Sequence, residues 1–285
     1  MNKRVAWQAS WVEKWPSFVA AGNVLEVGSG TFETIAHLAK AYPDKQFYGV
    51  DFELRPQAVS VAENAPDNLV ILKQDVRDLC SLPENHFDFA FSVALIEHIR
   101  ELDAHLKEIY RVLKEGGCYC FMAAPLWSSS LGHHCDHNAP DCPIPYYSHL
   151  YMTREQLGDF LITQAGKSPH ESAQILRRVY DRKDLSRLSR SQIRKFAEQS
   201  PLRIASWKEN KDKNYDNRLA KTVLQNNLYG LEASDLQIST VLCCLIKAGE
   251  GYKSCRTDFF RLSRFAFLPF AIILQRFRKR MAKGK

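Results

Sequence analysis

Glu26, Gly28, Gly30 and Asp51 stand at spacings that suit the holding of a ribose-bearing, positively charged ligand. The two glycines lack a Cβ, so the backbone can turn tightly there and a ligand can lie against it. Asp51 lies 21 residues beyond Gly30, where a carboxylate can accept both hydroxyls of a ribose. Glu26, two residues before the first glycine, suits a ligand with a positive amino group. Glu33 occupies the place where a dinucleotide fingerprint has its third glycine, and a carboxylate there would repel a pyrophosphate. A second concentration of chemistry runs through Gly132-His133-His134-Cys135-Asp136-His137, Cys142, Tyr146, Tyr147 and His149. A histidine of near-neutral pKa in that stretch could take the proton of a reacting hydroxyl, and His134 and His149 are the candidates. His133, Cys135, Asp136, His137 and Cys142 are competent metal ligands, but their spacing matches no standard zinc pattern and no metal is assigned.

These residues need elements to hold them. Asn23 to Val27 reads as an apolar strand running straight into Gly28-Ser29-Gly30-Thr31, and Thr34 to Ala41 continues at helical spacing with Ile35, Leu38 and Ala39 on one face. Further strands are expected at Gln46 to Val50, Leu69 to Leu72, Phe87 to Val93, Cys118 to Ala124, Leu202 to Trp207 and Leu236 to Ile246. The early strands are nearly all apolar, as strands covered on both faces by helices must be. The alternation predicts an α/β, doubly wound, Rossmann-like and mostly parallel seven-stranded sheet, whose chemistry lies at the carboxyl ends of the strands. A ligand with an ammonium, an adenosine and no phosphate fits the glycine turn, Glu26 and Asp51 together, and S-adenosyl-L-methionine has those features.

The chain resembles the class I adenosylmethionine-dependent methyltransferases over roughly residues 20–125, through five motifs in order. They are Leu25 to Thr31, Tyr48 to Phe52, Gln74 to Val76, Phe87 to Ile99 and Leu106 to Gly117. The resemblance implies Asp51 on the ribose, Phe52 against the adenine, Asp75 and Val76 near the adenine amino group, and Ser92 in the same pocket. It also implies a lining or proton-accepting place for His98, after the fourth strand. The stretch Ala41 to Asp51 resembles tRNA guanine methyltransferases, but Ser92-Val93-Ala94-Leu95-Ile96-Glu97-His98 stands where base-methylating relatives have an Asn/Asp-Pro-Pro type corner. Oxygen methylation of a small-molecule, sugar or lipid-linked glycan acceptor is therefore expected, and nucleic acid is not an expected partner. A membrane-associated protein that binds the cofactor without transferring its methyl group is the alternative.

The 285 residues, 45% hydrophobic and 25% charged, exclude a disordered or fibrous protein. The expected organisation is a helical cap over 1–22, a cofactor-binding core over 23–125, a substrate lid over 126–188, a last helix and strands over 189–250 and a basic tail over 251–285. Ser189 and Gln192 have the spacing of a capping box at the start of that helix. The net charge of +7 is unevenly spread: residues 251–285 hold ten basic side chains against Asp258, leaving the rest slightly acidic. Aromatic and aliphatic residues beside basic clusters over 259–280 suit an anionic membrane interface. The ten-residue apolar run from Phe265 to Leu274 is too short to span a bilayer. No export signal is visible, and eight cysteines without a C-x-x-C pair read as reduced thiols, so a cytoplasmic place is expected, peripheral on the inner face of the membrane if the tail binds there.

Overall fold

The computed structural model describes residues 2–135 and 143–249. Seven strands form one sheet: β1 (Asn23–Val27), β2 (Gln46–Asp51), β3 (Leu69–Lys73), β4 (Phe87–Val93), β5 (Leu113–Ala123), β6 (Arg203–Lys211) and β7 (Ile238–Ile246). Their spatial order is β3-β2-β1-β4-β5-β7-β6. The first five strands run parallel, and β7 lies antiparallel between β5 and β6. The chain leaves β1 for β2 on one side and returns past it to β4 on the other. That reversal of direction opens a crevice at the carboxyl ends of β1 and β4, the place where open α/β sheets take their ligands.

Ten helices accompany the sheet among the described residues: α1 (Lys3–Val12), α2 (Pro16–Ala20), α3 (Glu33–Ala41), α4 (Pro56–Glu63), α5 (Leu102–Val112), α6 (Ser148–Tyr151), α7 (Arg154–Thr163), α8 (Pro169–Tyr180), α9 (Arg190–Gln199) and α10 (Asn217–Asn226). One sheet face is covered by α5 and α9, whose Leu102, Leu106, Ile109, Ile193 and Ala197 join Phe87, Tyr119 and Phe121 in a common core. Leu102, Leu106 and Ile109 recur at i, i+4 and i+7, and burying each contributes roughly 1.5–3 kcal/mol. The other face is covered by the N-terminal helices and α3, with Trp11, Phe18, Ile35 and Leu38 packed on Phe47, Phe89, Cys118 and Cys120. The capping box expected at the head of α9 is present: Ser189 Oγ accepts the Gln192 N–H and Gln192 Oε1 accepts the Ser189 N–H.

Beyond β5 the chain builds two smaller apolar clusters. Trp127, Tyr147, Leu150 and Leu185 pack with Ala220 and Val223 of α10, while Ile144, Leu157, Leu161 and Val179 join α7 to α8. The helix α10, between β6 and β7, was not anticipated in sequence; it shares its core with residues of the 126–188 stretch, so the material above the sheet comes from two separate insertions. Asp136, His137, Cys142 and the basic tail over 251–285 lie outside the described residues. No described helix is long and apolar enough to cross a membrane.

Candidate active site

The turn after β1 is built to leave backbone exposed to a ligand. Gly28 and Gly30 have φ of +72° and +58°, the left-handed region that glycine enters without steric cost. A Cβ on Gly28 would sit 2.6 Å from Leu95 Cδ1, whereas one on Gly30 would meet nothing within 4 Å. The loop is tied to β2, because the Gly28 and Ser29 N–H groups both donate to the Val50 carbonyl. Gly30 N–H donates to Asp51 Oδ2 at 2.8 Å, and Asp51 Oδ1 accepts the Glu53 N–H at 3.1 Å. Two backbone donors thus fix the Asp51 carboxylate beside the glycine turn, with lone pairs left over for hydroxyls.

Phe32 caps the start of helix α3; it is left-handed at φ +59° and fully buried. Its ring lies over Gly49 of β2, where a Cβ would come within 2.7 Å of Phe32 Cδ1, so Gly49 makes room for the residue that starts the helix. Arg4 of α1 reaches over to Thr31 Oγ1 and pairs with Glu33, which clamps the N-terminal helix onto the turn. Glu33 therefore sits in the first turn of α3, on a partly neutralising guanidinium.

Glu26 is buried, and its Oε2 has no hydrogen-bond partner among the described residues. Burial pushes its carboxyl up to about 8, against smaller opposing contributions from hydrogen bonds and Arg4. An orphaned acid beside an open glycine cradle and a fixed Asp51 fits a ligand with a cationic amino group and an adenosine. Phe52, just past β2, leaves 65% of its surface exposed, as a ring that stacks on a base must. Asp75 is held by Arg77, which donates from its backbone N–H and Nε at 2.9 Å and from Nη2 at 2.6 Å; those hydrogen bonds lower its carboxyl below the ordinary range. The Val76 carbonyl accepts from buried His105 Nδ1. The Ser92 hydroxyl turns to the α5 face, where it pairs with the Tyr119 hydroxyl at 2.7 Å, and Tyr119 in turn meets His105 Nε2 at 3.1 Å. That chain braces the floor of the crevice, and Ser92 itself is fully buried within the β4–β5 pairing.

The ends of β4 and β5 gather three titratable groups. Ala94, at φ +57°, turns the chain out of β4 and brings Leu95 onto Gly28. Glu97 follows; its Oε1 accepts the Ala124 N–H at 3.2 Å and its buried Oε2 has no partner among the described residues. Burial raises its carboxyl to about 8. His98 Nδ1 lies 2.7 Å from the Asp184 carbonyl oxygen, which can only accept, so Nδ1 carries the proton and Nε2 of the neutral ring carries a lone pair. Burial lowers the His98 pKa, and the Asp184 carboxylate stands 3.8 Å away. His134 packs its ring on that of His98 at 5.3 Å, donates from Nε2 to the Pro125 carbonyl, and is pushed by burial down to about 4. His149 is set apart from this group: it is buried against Trp127 and His133, with Nε2 on the Trp127 carbonyl at 2.8 Å. Glu97, Leu95 and Asp184 escaped the sequence reading. The adjacency of Glu97 to His98 after the fourth strand was the one signal for the first; the other two depend on tertiary contact.

Residues 25–121 match the model of a methyltransferase domain family. A ubiquinone/menaquinone biosynthesis C-methyltransferase of Desulfotalea psychrophila is 29% identical over 123 residues, covering 40% of this chain and 49% of that protein. An ajmaline N-methyltransferase of Rauvolfia serpentina is 32% identical over 99 residues, 33% of each chain. The chain thus aligns with half or less of these curated relatives. Among solved structures, a candidate sarcosine dimethylglycine methyltransferase of Galdieria sulphuraria shares the fold at a TM-score of 0.50 and 11% identity, over 85% of both chains.

Proposed function

We propose that the protein is a class I methyltransferase that uses S-adenosyl-L-methionine, a reading supported by the match of residues 25–121 to a methyltransferase domain family, and that it methylates an oxygen of a small-molecule, sugar or lipid-linked glycan acceptor. The observation that carries the oxygen reading is the state of His98, a neutral ring whose Nε2 lone pair stands at the mouth of β4. When bound, the cofactor supplies a methyl group on a sulfonium, electrophilic enough that positioning and deprotonation of the acceptor are the remaining tasks.

Glu26 would receive the amino group, Asp51 the ribose hydroxyls and Phe52 the adenine face, with Asp75 and Val76 at the adenine edge and Ser92 bracing the floor beneath. His98 Nε2 takes the acceptor's hydroxyl proton, and the Asp184 carboxylate steadies the imidazolium that forms, because the Arg182 hydrogen bond keeps that carboxylate ionised down to about 2. Glu97 holds its proton at neutral pH and can donate from Oε2 to the acceptor. His134, neutral at the same pH, lines the mouth beside His98; His149 supports the wall through Trp127.

The inserted segments around 126–188 and α10 serve as the acceptor cover in this reading. A cytoplasmic protein held peripherally by residues 259–280 suits a lipid-linked acceptor, a proposal that rests on the sequence of that tail. Incubation of the full chain with cofactor and a panel led by phosphorylated sugars and lipid-linked glycans, scored by release of S-adenosylhomocysteine, tests transfer. Cofactor binding without release against any hydroxyl acceptor would favour a binding protein instead.

A further inference from the structure

On the sheet face away from α5 and α9, three thiols converge that methyl transfer does not use. Cys118 and Cys120 stand two residues apart on β5, and Cys244 of β7 is the register partner of Cys120. Their Sγ atoms all lie within 4.8 Å of one another, and all three residues are buried. Ser17 of α2 has a buried Oγ with no hydrogen-bond partner among the described residues, and its hydroxyl lies near enough to Cys118 to favour that thiolate.

We propose that Cys118, Cys120, Cys244 and Ser17 form a four-coordinate site for a thiophilic divalent d10 cation of the zinc class. Cysteines that serve only as small core hydrophobes have no reason to converge on each other, since apolar neighbours satisfy them equally well. A tetrahedral site with Zn–S bonds of about 2.3 Å places its sulfurs about 3.8 Å apart, inside the separation found here. The three sulfurs supply the strong bonds, and the Ser17 oxygen would take the fourth, weaker position. Trp11, Phe18 and Phe89 belong to the same apolar cluster and keep water from it. The donors come from α2, β5 and β7, so the cation would fasten the N-terminal helices to the sheet. Its binding releases thiol protons to the buffer as the sulfurs become thiolates. Nothing in the C-x-x-C spacing logic points here, because the set is assembled by strand pairing.

The test is titration of the reduced, chelator-treated full-chain protein with Co(II) under anaerobic conditions, read by thiolate-to-cobalt charge-transfer absorbance and tetrahedral ligand-field bands. The expected result is one equivalent bound, displaced by Zn(II), with proton release and a raised melting temperature. The Cys80→Ser/Cys135→Ser double variant should bind as the parent does. Cys120→Ala should lose the bands, and Ser17→Ala should keep the charge-transfer band while weakening affinity at least tenfold. Absence of the band in folded parent protein overturns the proposal, as does an equal band in Cys120→Ala. If Cys120→Ala fails to fold, the other two variants decide: loss of the band in the Cys80/Cys135 variant, or unchanged affinity in Ser17→Ala, overturns it.

Discussion

Glu26→Gln isolates the role of the buried acid under the glycine turn. With a carboxyl at about 8, Glu26 is roughly nine-tenths protonated at pH 7, and ionising it there costs about 1.4 kcal/mol. The cofactor's amino group, with an ordinary α-amino pKa of about 7.8, is mostly charged at that pH. Forming a carboxylate–ammonium pair at pH 7 therefore expels most of one proton, and affinity climbs nearly tenfold per unit up to about pH 7 and then levels toward 8. Above about 8 the amine loses its own proton and affinity turns down, so the profile is a bell centred near pH 8. Calorimetric titration with S-adenosylhomocysteine in buffers of different ionisation enthalpy measures both the proton count and the slope. Glu26→Gln should abolish the acid limb and the proton release at pH 7, leaving only the decline above pH 8. A flat acid limb in the parent protein, or the same limb in the variant, would refute the assignment.

Gly28→Ala combines left-handed φ with a 2.6 Å approach to Leu95 and should lose both stability, by about 1–3 kcal/mol, and cofactor binding. Gly30→Ala meets no protein atom, so melting should show a loss of only about 1 kcal/mol while binding calorimetry shows affinity reduced at least tenfold. Glu97 is raised by burial, so the folded state holds a proton that the unfolded state has lost; stability must fall as pH rises through about 8. Between pH 6.5 and 8 the loss is about 2 kcal/mol per such acid, opposed below about pH 7.5 by the last of the unfolded-state histidine titration, and denaturant midpoints for Glu97→Gln should lose the share of the slope that Glu97 supplies. His98→Gln should lower kcat by about 100-fold or more with KM for the cofactor unchanged, and equal kcat would remove His98 as the base.

The parts of the molecule fixed by local chemistry were legible in the sequence. The strand, glycine turn and helix from Asn23 to Ala41 follow from apolar runs and missing Cβ atoms, and the Ser189–Gln192 cap from side chains that can reach their own backbone. What escaped was set by contacts between distant segments. Helix α10 carries an ordinary amphipathic pattern, and its place follows from Trp127 and Tyr147, some seventy or more residues earlier. The resemblance places Ser92 in the cofactor pocket, but only the pairing of β4 with β5 shows that its hydroxyl meets Tyr119. The thiols of β5 and β7 look like core residues in sequence and meet only through antiparallel pairing.

The central claim is that the crevice between β1 and β4 holds S-adenosyl-L-methionine through Asp51 and the glycine turn. Titration of the parent protein and Asp51→Asn with S-adenosylmethionine, alongside melting curves for both, tests it most directly. The account predicts one cofactor per chain in the parent and affinity reduced at least tenfold in a variant that remains folded. Failure of the folded parent to bind, or equal affinity in the variant, would contradict it.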